Sequence, residues 1–129
     1  MSDNTKRPTI QLLAADELAQ RVEAQLPKWT LEGGALCRVV RTAGWKGTLM
    51  VVNTIGHLAE AAWHHPDLAV SYNSVRIALS THEAAGIPAR DMALAGKIGQ
   101  LLKWLPGAEP DAVLEGTPTD PRHAYILYD

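Results

Sequence analysis

Leu18, Val22 and Leu26 recur at every fourth position among Glu17, Gln20, Arg21 and Glu23, which predicts an amphipathic helix with one buried face. Pro27 lacks an amide hydrogen and clashes with the preceding turn, so the helix should end there. The spacing then shortens. Trp29 and Leu31 alternate with polar neighbours, Gly33-Gly34 supplies a tight turn, and Leu36 to Val40 is apolar and β-branched, which predicts a β-hairpin. From Lys46 to Trp63 the helical period returns, with Leu49, Val52, Ile55, Leu58, Ala59 and Ala62 on one face of the longest predicted helix. Proline disfavours helical geometry in the residue before it, so Pro66 should turn His65 off the helix axis and leave His64-His65 at an exit corner.

Ala69 to Tyr72 and Val75 to Thr81 read as two further strands around an Asn73-Ser74 turn, with Val75, Ile77 and Leu79 on one face. After Gly86-Ile87-Pro88, the positions Met92, Leu94, Ala95, Ile98, Leu101 and Leu102 mark a third helix whose first turn holds Asp91. Hairpins interleaved with amphipathic helices predict an α+β layer: a four-stranded antiparallel sheet with three helices packed on one face. An open sheet of that size leaves an edge strand for pairing with another subunit. Pro106, Pro110, Pro118 and Pro121 change the character of the chain after Leu105, and only Tyr125 to Tyr128 is apolar again. The expected organisation is a domain over residues 1–104 and a proline-rich extension over 105–129 that looks extended.

Length and composition agree with this plan. A chain of 129 residues with 47% hydrophobic and 20% charged residues is one ordinary globular domain. Its formal net charge of -2 is dispersed, without the basic stripe that gathers phosphates, so no direct nucleic-acid binding is expected. Cys37 is the single cysteine, reads as a small core residue, and belongs to no zinc pattern. The first residues carry no apolar leader and no window is long enough for a membrane span, which gives the expectation of a cytoplasmic protein without membrane attachment.

The polar residues suggest chemistry. His57, Glu60 and His64 stand three, four and seven apart and would share one face of the long helix. His82 closes the second strand of the next hairpin, where a short return would bring it and Asp91 to the helix end. Imidazole, with an unperturbed pKa near about 6.5, both gives and accepts protons close to neutrality. A metal held by His57, Glu60 and His64 is the weaker reading, because metal motifs pair histidines more tightly. His57 and Arg76 read as solvated or hydrogen-bonded residues, and Trp45 and Trp63 as packing anchors.

Glu60-x-x-x-His64-His65-Pro66, five residues, Tyr72, nine residues, His82, eight residues, Asp91 resembles the full signature of the pterin-4a-carbinolamine dehydratases. Tyr72 to Val75, Leu79 to Gly86 and Arg90 to Ala95 are similar to that family as well, and the likeness spans roughly residues 12 to 104. It departs at Leu68 and Val70-Ser71, where many members have an aromatic followed by Asn-Val, at Pro88 in place of a Ser or Thr cap, and in the absence of phenylalanine.

The resemblance implies an α+β subunit forming homodimers or homotetramers. It implies removal of water from 4a-hydroxytetrahydropterin, such as the tetrahydrobiopterin derivative released by aromatic amino acid hydroxylases, to give quinonoid dihydropterin without metal or organic cofactor. By the same resemblance His64 and His82 are the acid and base, His65 binds the pterin, and Glu60 and Asp91 orient them. The alternative it carries is a catalytically retired binding protein with a protein client: a transcription-factor dimerisation cofactor, or a RuBisCO assembly factor of carboxysome-bearing bacteria.

Overall fold

The computed structural model describes residues 15–81 and 87–128. Along the chain these form helix α1 (Ala15–Gln25), strands β1 (Thr30–Glu32) and β2 (Ala35–Thr42), helix α2 (Trp45–Ala62), strands β3 (Asp67–Ser71) and β4 (Ser74–Leu79), helix α3 (Ala89–Leu102) and a short strand β5 (Ile126–Leu127). The expected order of helices and hairpins is the observed one. Ser71 pairs with Ser74, so the second hairpin turns through Tyr72-Asn73, one residue earlier than its composition suggests.

The sheet is antiparallel in the order β1-β2-β4-β3, with β5 paired to β2. Arg41 opposes Ser74 on one side and Leu127 on the other, and Cys37 opposes Ala78 and Thr30. β5 therefore continues the same flank of β2 that β1 begins. The four-stranded path is as expected, and β5 is an addition that a two-residue apolar ending does not announce. Gly33 and Gly34 both take positive φ, 56° and 79°, the backbone that a two-residue hairpin needs and that side chains resist.

Alternation places Leu36 and Val40 of β2 with Val75, Ile77 and Leu79 of β4 on one face, all within 3% of complete burial. Val22 and Leu26 of α1, Val51 and Ile55 of α2, and Ala95 and Ile98 of α3 pack against them. Each fully buried aliphatic side chain of this kind contributes about 1.5–3 kcal/mol. The opposite face mixes polar residues with exposed Val39 and Leu127: Arg76 reaches Glu32 at 3.3 Å and lies 3.4 Å from the sulfur of Cys37, which is buried as expected. The Thr30 hydroxyl and Arg76 hold the Glu32 carboxyl below the usual carboxylate range.

Trp29 is the core tryptophan, whereas Trp45 and Trp63 are 49% and 76% exposed and do not anchor the packing. They flank α2 as its first residue and the residue after its last, beyond the stripe of Val51, Ile55 and Ala59 that faces the sheet. No helix among the described residues is long and apolar enough to cross a membrane.

The segment after α3 makes single 3-10 turns at Pro106–Ala108 and Pro121–His123 and then folds back. Ile126 packs on the core, the Ala43 amide donates to the Tyr125 carbonyl at 3.1 Å, and the Tyr128 hydroxyl donates to the Leu102 carbonyl. Gly47, buried in the first turn of α2, lets the returning chain approach: a Cβ there would stand 2.7 Å from the Tyr125 oxygen.

Gly47→Ala should therefore lower stability by about 1–3 kcal/mol, since backbone must move to admit the methyl group. Gly56→Ala, in open space on the same helix, should raise it by about 0.8–1 kcal/mol. Urea midpoints of the two variants test the contrast. Burial, and then the neighbouring Tyr125, push the Tyr128 hydroxyl above its ordinary pKa of 10.0, against a smaller opposing pull from Arg38. A raised folded-state pKa gives stability that is complete below pH 10 and lost as pH rises through the folded value. Alkaline unfolding curves should show this loss in the parent protein, and Tyr128→Phe should remove that component of it.

Candidate functional site

Helix α2 ends before the histidines. Trp63 takes left-handed geometry, φ 51° and ψ 46°; its amide donates to the Glu60 carbonyl at 3.2 Å, and the His64 amide donates to the Ala59 carbonyl at 3.1 Å. This is a Schellman closure, in which the last carbonyls of the helix are satisfied by the two residues that leave it. The chain turns at Trp63, three residues ahead of Pro66, so His64 is off the helix and does not share a face with His57 and Glu60. Among the described residues Trp63 is the only non-glycine with positive φ. A bulky side chain there costs about 1–2 kcal/mol that glycine would not incur.

The turn sends the two histidines in different directions. His64 points inward, with its side chain 12% exposed, and its Nε2 bonds to Oδ1 of Asp91. His65 points outward, 48% exposed, with Nε2 at 2.7 Å from Oε1 of Glu60. The arrangement is two pairs side by side, one buried and one exposed, in place of a single helical stripe. Glu60 serves His65, and Asp91 serves His64.

Asp91 is the third residue of α3, following the cap residue Pro88, and a carboxylate in that first turn is favoured by the helix dipole. Pro88 provides no side-chain cap, as its ring requires, but its carbonyl accepts the Asp91 amide at 3.0 Å. The Asp91 side chain is completely buried. Oδ1 also accepts from the Thr81 hydroxyl at 3.2 Å, and that hydroxyl accepts from Nε of Arg90 at 3.3 Å. Oδ2 has no hydrogen-bond partner among the described residues. Thr81 and Arg90 are the members of this cluster that spacing alone did not single out; a threonine two residues past a buried strand, ten residues ahead of a helical aspartate, was the available signal.

His82, expected to be the second catalytic histidine, lies outside the described residues. Tyr72 stands apart from the histidines, at the far end of the β3–β4 hairpin, where its carbonyl accepts from Thr48 at 2.9 Å and its ring is mostly exposed. Its part in the motif is to turn the hairpin. Among the described residues no three His, Cys, Asp or Glu side chains gather as a metal set would require.

The left-handed cap carries a measurable consequence. Trp63→Gly should raise the unfolding free energy by about 1 kcal/mol by relieving the cap, and Trp63→Ala should leave it nearly unchanged. Thermal or urea unfolding of both variants decides it.

The geometry can be set beside known proteins. The family model for pterin 4 alpha carbinolamine dehydratase matches residues 11–101. A protein of Aquifex aeolicus is 43% identical over 94 residues, which cover 73% of this chain and 94% of the relative. One from a Cyanothece strain is 41% identical over 96 residues, covering 74% and 98%, and both bear the name "Putative pterin-4-alpha-carbinolamine dehydratase". Among solved structures, a chain described as transcriptional coactivator/pterin dehydratase from Brucella melitensis matches with a TM-score of 0.63 at 24% identity, over 69% of this chain and 96% of its own length, a likeness of fold. The chain belongs to the pterin-4-alpha-carbinolamine dehydratase family.

Proposed function

We propose that this protein dehydrates 4a-hydroxytetrahydropterin to quinonoid dihydropterin and water by histidine general acid and base catalysis. The observation that supports it is the buried His64–Asp91 pair at the corner where α2, the end of β4 and the start of α3 meet. With Nε2–H given to Asp91, the imidazole is held in one orientation and one tautomer, and Nδ1 is the nitrogen that exchanges a proton with substrate.

The reaction needs one proton delivered to the 4a-hydroxyl as its bond to carbon breaks, and one taken from the ring nitrogen as the C=N bond forms. His64 and His82 divide these tasks. His65, outward and braced by Glu60, binds the pterin, while Glu60 and Asp91 orient the imidazoles. No metal or organic cofactor is required by this scheme. The protein works in the cytoplasm as a homodimer or homotetramer, for which β3, an edge strand among the described residues, can pair with a second subunit.

A binding role is the competing reading, and the exposure of Leu105, Val113 and Leu114 in the C-terminal segment favours it. One assay separates the two. Enzymatically generated 4a-hydroxytetrahydropterin should lose its ultraviolet signature at least about 100-fold faster with the parent protein than with the His64→Ala, His82→Ala double variant. Equal rates would remove the enzyme and leave a protein client, retained from lysate irrespective of His82, as the function.

A further inference from the structure

The proposed site has acid, base and orienting carboxylates, yet a bicyclic substrate that flattens as it reacts also needs a surface that holds the plane of its rings. We propose that Trp63 is that surface: a substrate-positioning residue whose indole stacks on the pterin and sets which ring systems the site accepts. This rests on the dehydratase reading above.

Three independent features of Trp63 point the same way. Its backbone is the only left-handed non-glycine among the described residues, at a cap position where glycine would close the helix without strain. Strain retained at one residue beside a reactive centre directs attention to function. The side chain gains little burial in exchange, since it is 76% exposed and the most exposed of the four tryptophans. And its ring is already oriented: it meets the His65 imidazole with centroids 5.1 Å apart and planes at 82°, an edge contact that leaves open indole surface. His65 is itself fixed by Glu60, so the indole has a braced neighbour on one side and the inward His64 as the next residue along the chain.

The chemistry fits a pterin better than an aliphatic ligand. An electron-rich indole stacks on an electron-poor, nitrogen-rich bicycle, and the interaction tolerates substituents at the ring edge. The carbinolamine is puckered at its tetrahedral 4a carbon, whereas the quinonoid product is planar there. Stacking therefore strengthens as water leaves, so the contact favours the transition state over the bound substrate.

The test uses the full chain, with 7,8-dihydropterin as an unreactive flat probe and the carbinolamine as substrate. Trp63→Ala should weaken binding of the probe and raise KM by about ten-fold, with a smaller fall in kcat. Trp63→Phe should recover most of the affinity. Trp63→Gly, with its relaxed cap, should bind as weakly as Trp63→Ala although it is the more stable protein, an outcome a purely structural role would not produce. Parent-like affinity and KM in Trp63→Ala, with turnover intact, would overturn the stacking role and leave the dehydratase standing. A changed oligomeric state in Trp63→Ala with unchanged probe affinity would likewise overturn it, by making the residue an interface contact. A parent protein that neither binds the probe nor turns over substrate would overturn both readings together.

Discussion

Asp91 holds the corner between α2, β4 and α3 together because a carboxyl group with no access to water is costly to bury without partners. Its partners come from separate parts of the chain: His64 just beyond α2, and Thr81 just beyond β4, with Arg90 supporting the threonine from Asp91's own helix. Satisfying one buried group thus fixes where α2 may end, how far β4 may run and where α3 must begin. Both contacts fall on Oδ1, since Oδ2 has no partner among the described residues, so loss of His64 or Thr81 would leave the buried carboxyl a single hydrogen bond, at a cost of about 1–3 kcal/mol, and the three boundaries are selected together. The same demand for partners is what gives the imidazole of His64 a defined orientation.

Most of the layer was legible in the sequence because burial has a period. Val75, Ile77 and Leu79 alternate and mark the buried face of β4 correctly; on α2 Ile55 and Ala59 are buried as their period predicts, but the face is turned, with Val51 buried while Leu49 and Ala62 are exposed. Four residues of the corner were legible, but not their pairing. His64, Asp91, His65 and Glu60 all lie there, yet the assignment of each carboxylate to its histidine depends on the turn at Trp63. A tryptophan at a left-handed cap runs against local preference, so helical spacing carries the pattern one residue too far and groups Glu60 with His64. The exposure of Trp45 and Trp63 was missed for a related reason: hydrophobicity reports what a side chain gains from burial, and helix ends place some of those side chains outside the layer.

The C-terminal segment shows another limit of sequence patterns. Two residues are too few to display any period, so β5 exists in the sequence only as an apolar ending. What defines it is complementary: a glycine in α2 with no side chain to obstruct the Tyr125 carbonyl, and an unused length of the β2 flank beyond β1. Such a contact is encoded in two distant places at once and appears in neither alone.

The adjacency of His64 and His65 has an evolutionary corollary. Successive residues of an extended chain face opposite ways, so the identity of the inward histidine is a matter of parity counted from the Schellman closure. Insertion or deletion of one residue between that closure and β3 would exchange interior and exterior in this short stretch. The segment from Ala62 to Asp67 is thus constrained in length more strictly than in most of its chemistry, and lineages of this chain should vary by substitution there and not by insertion.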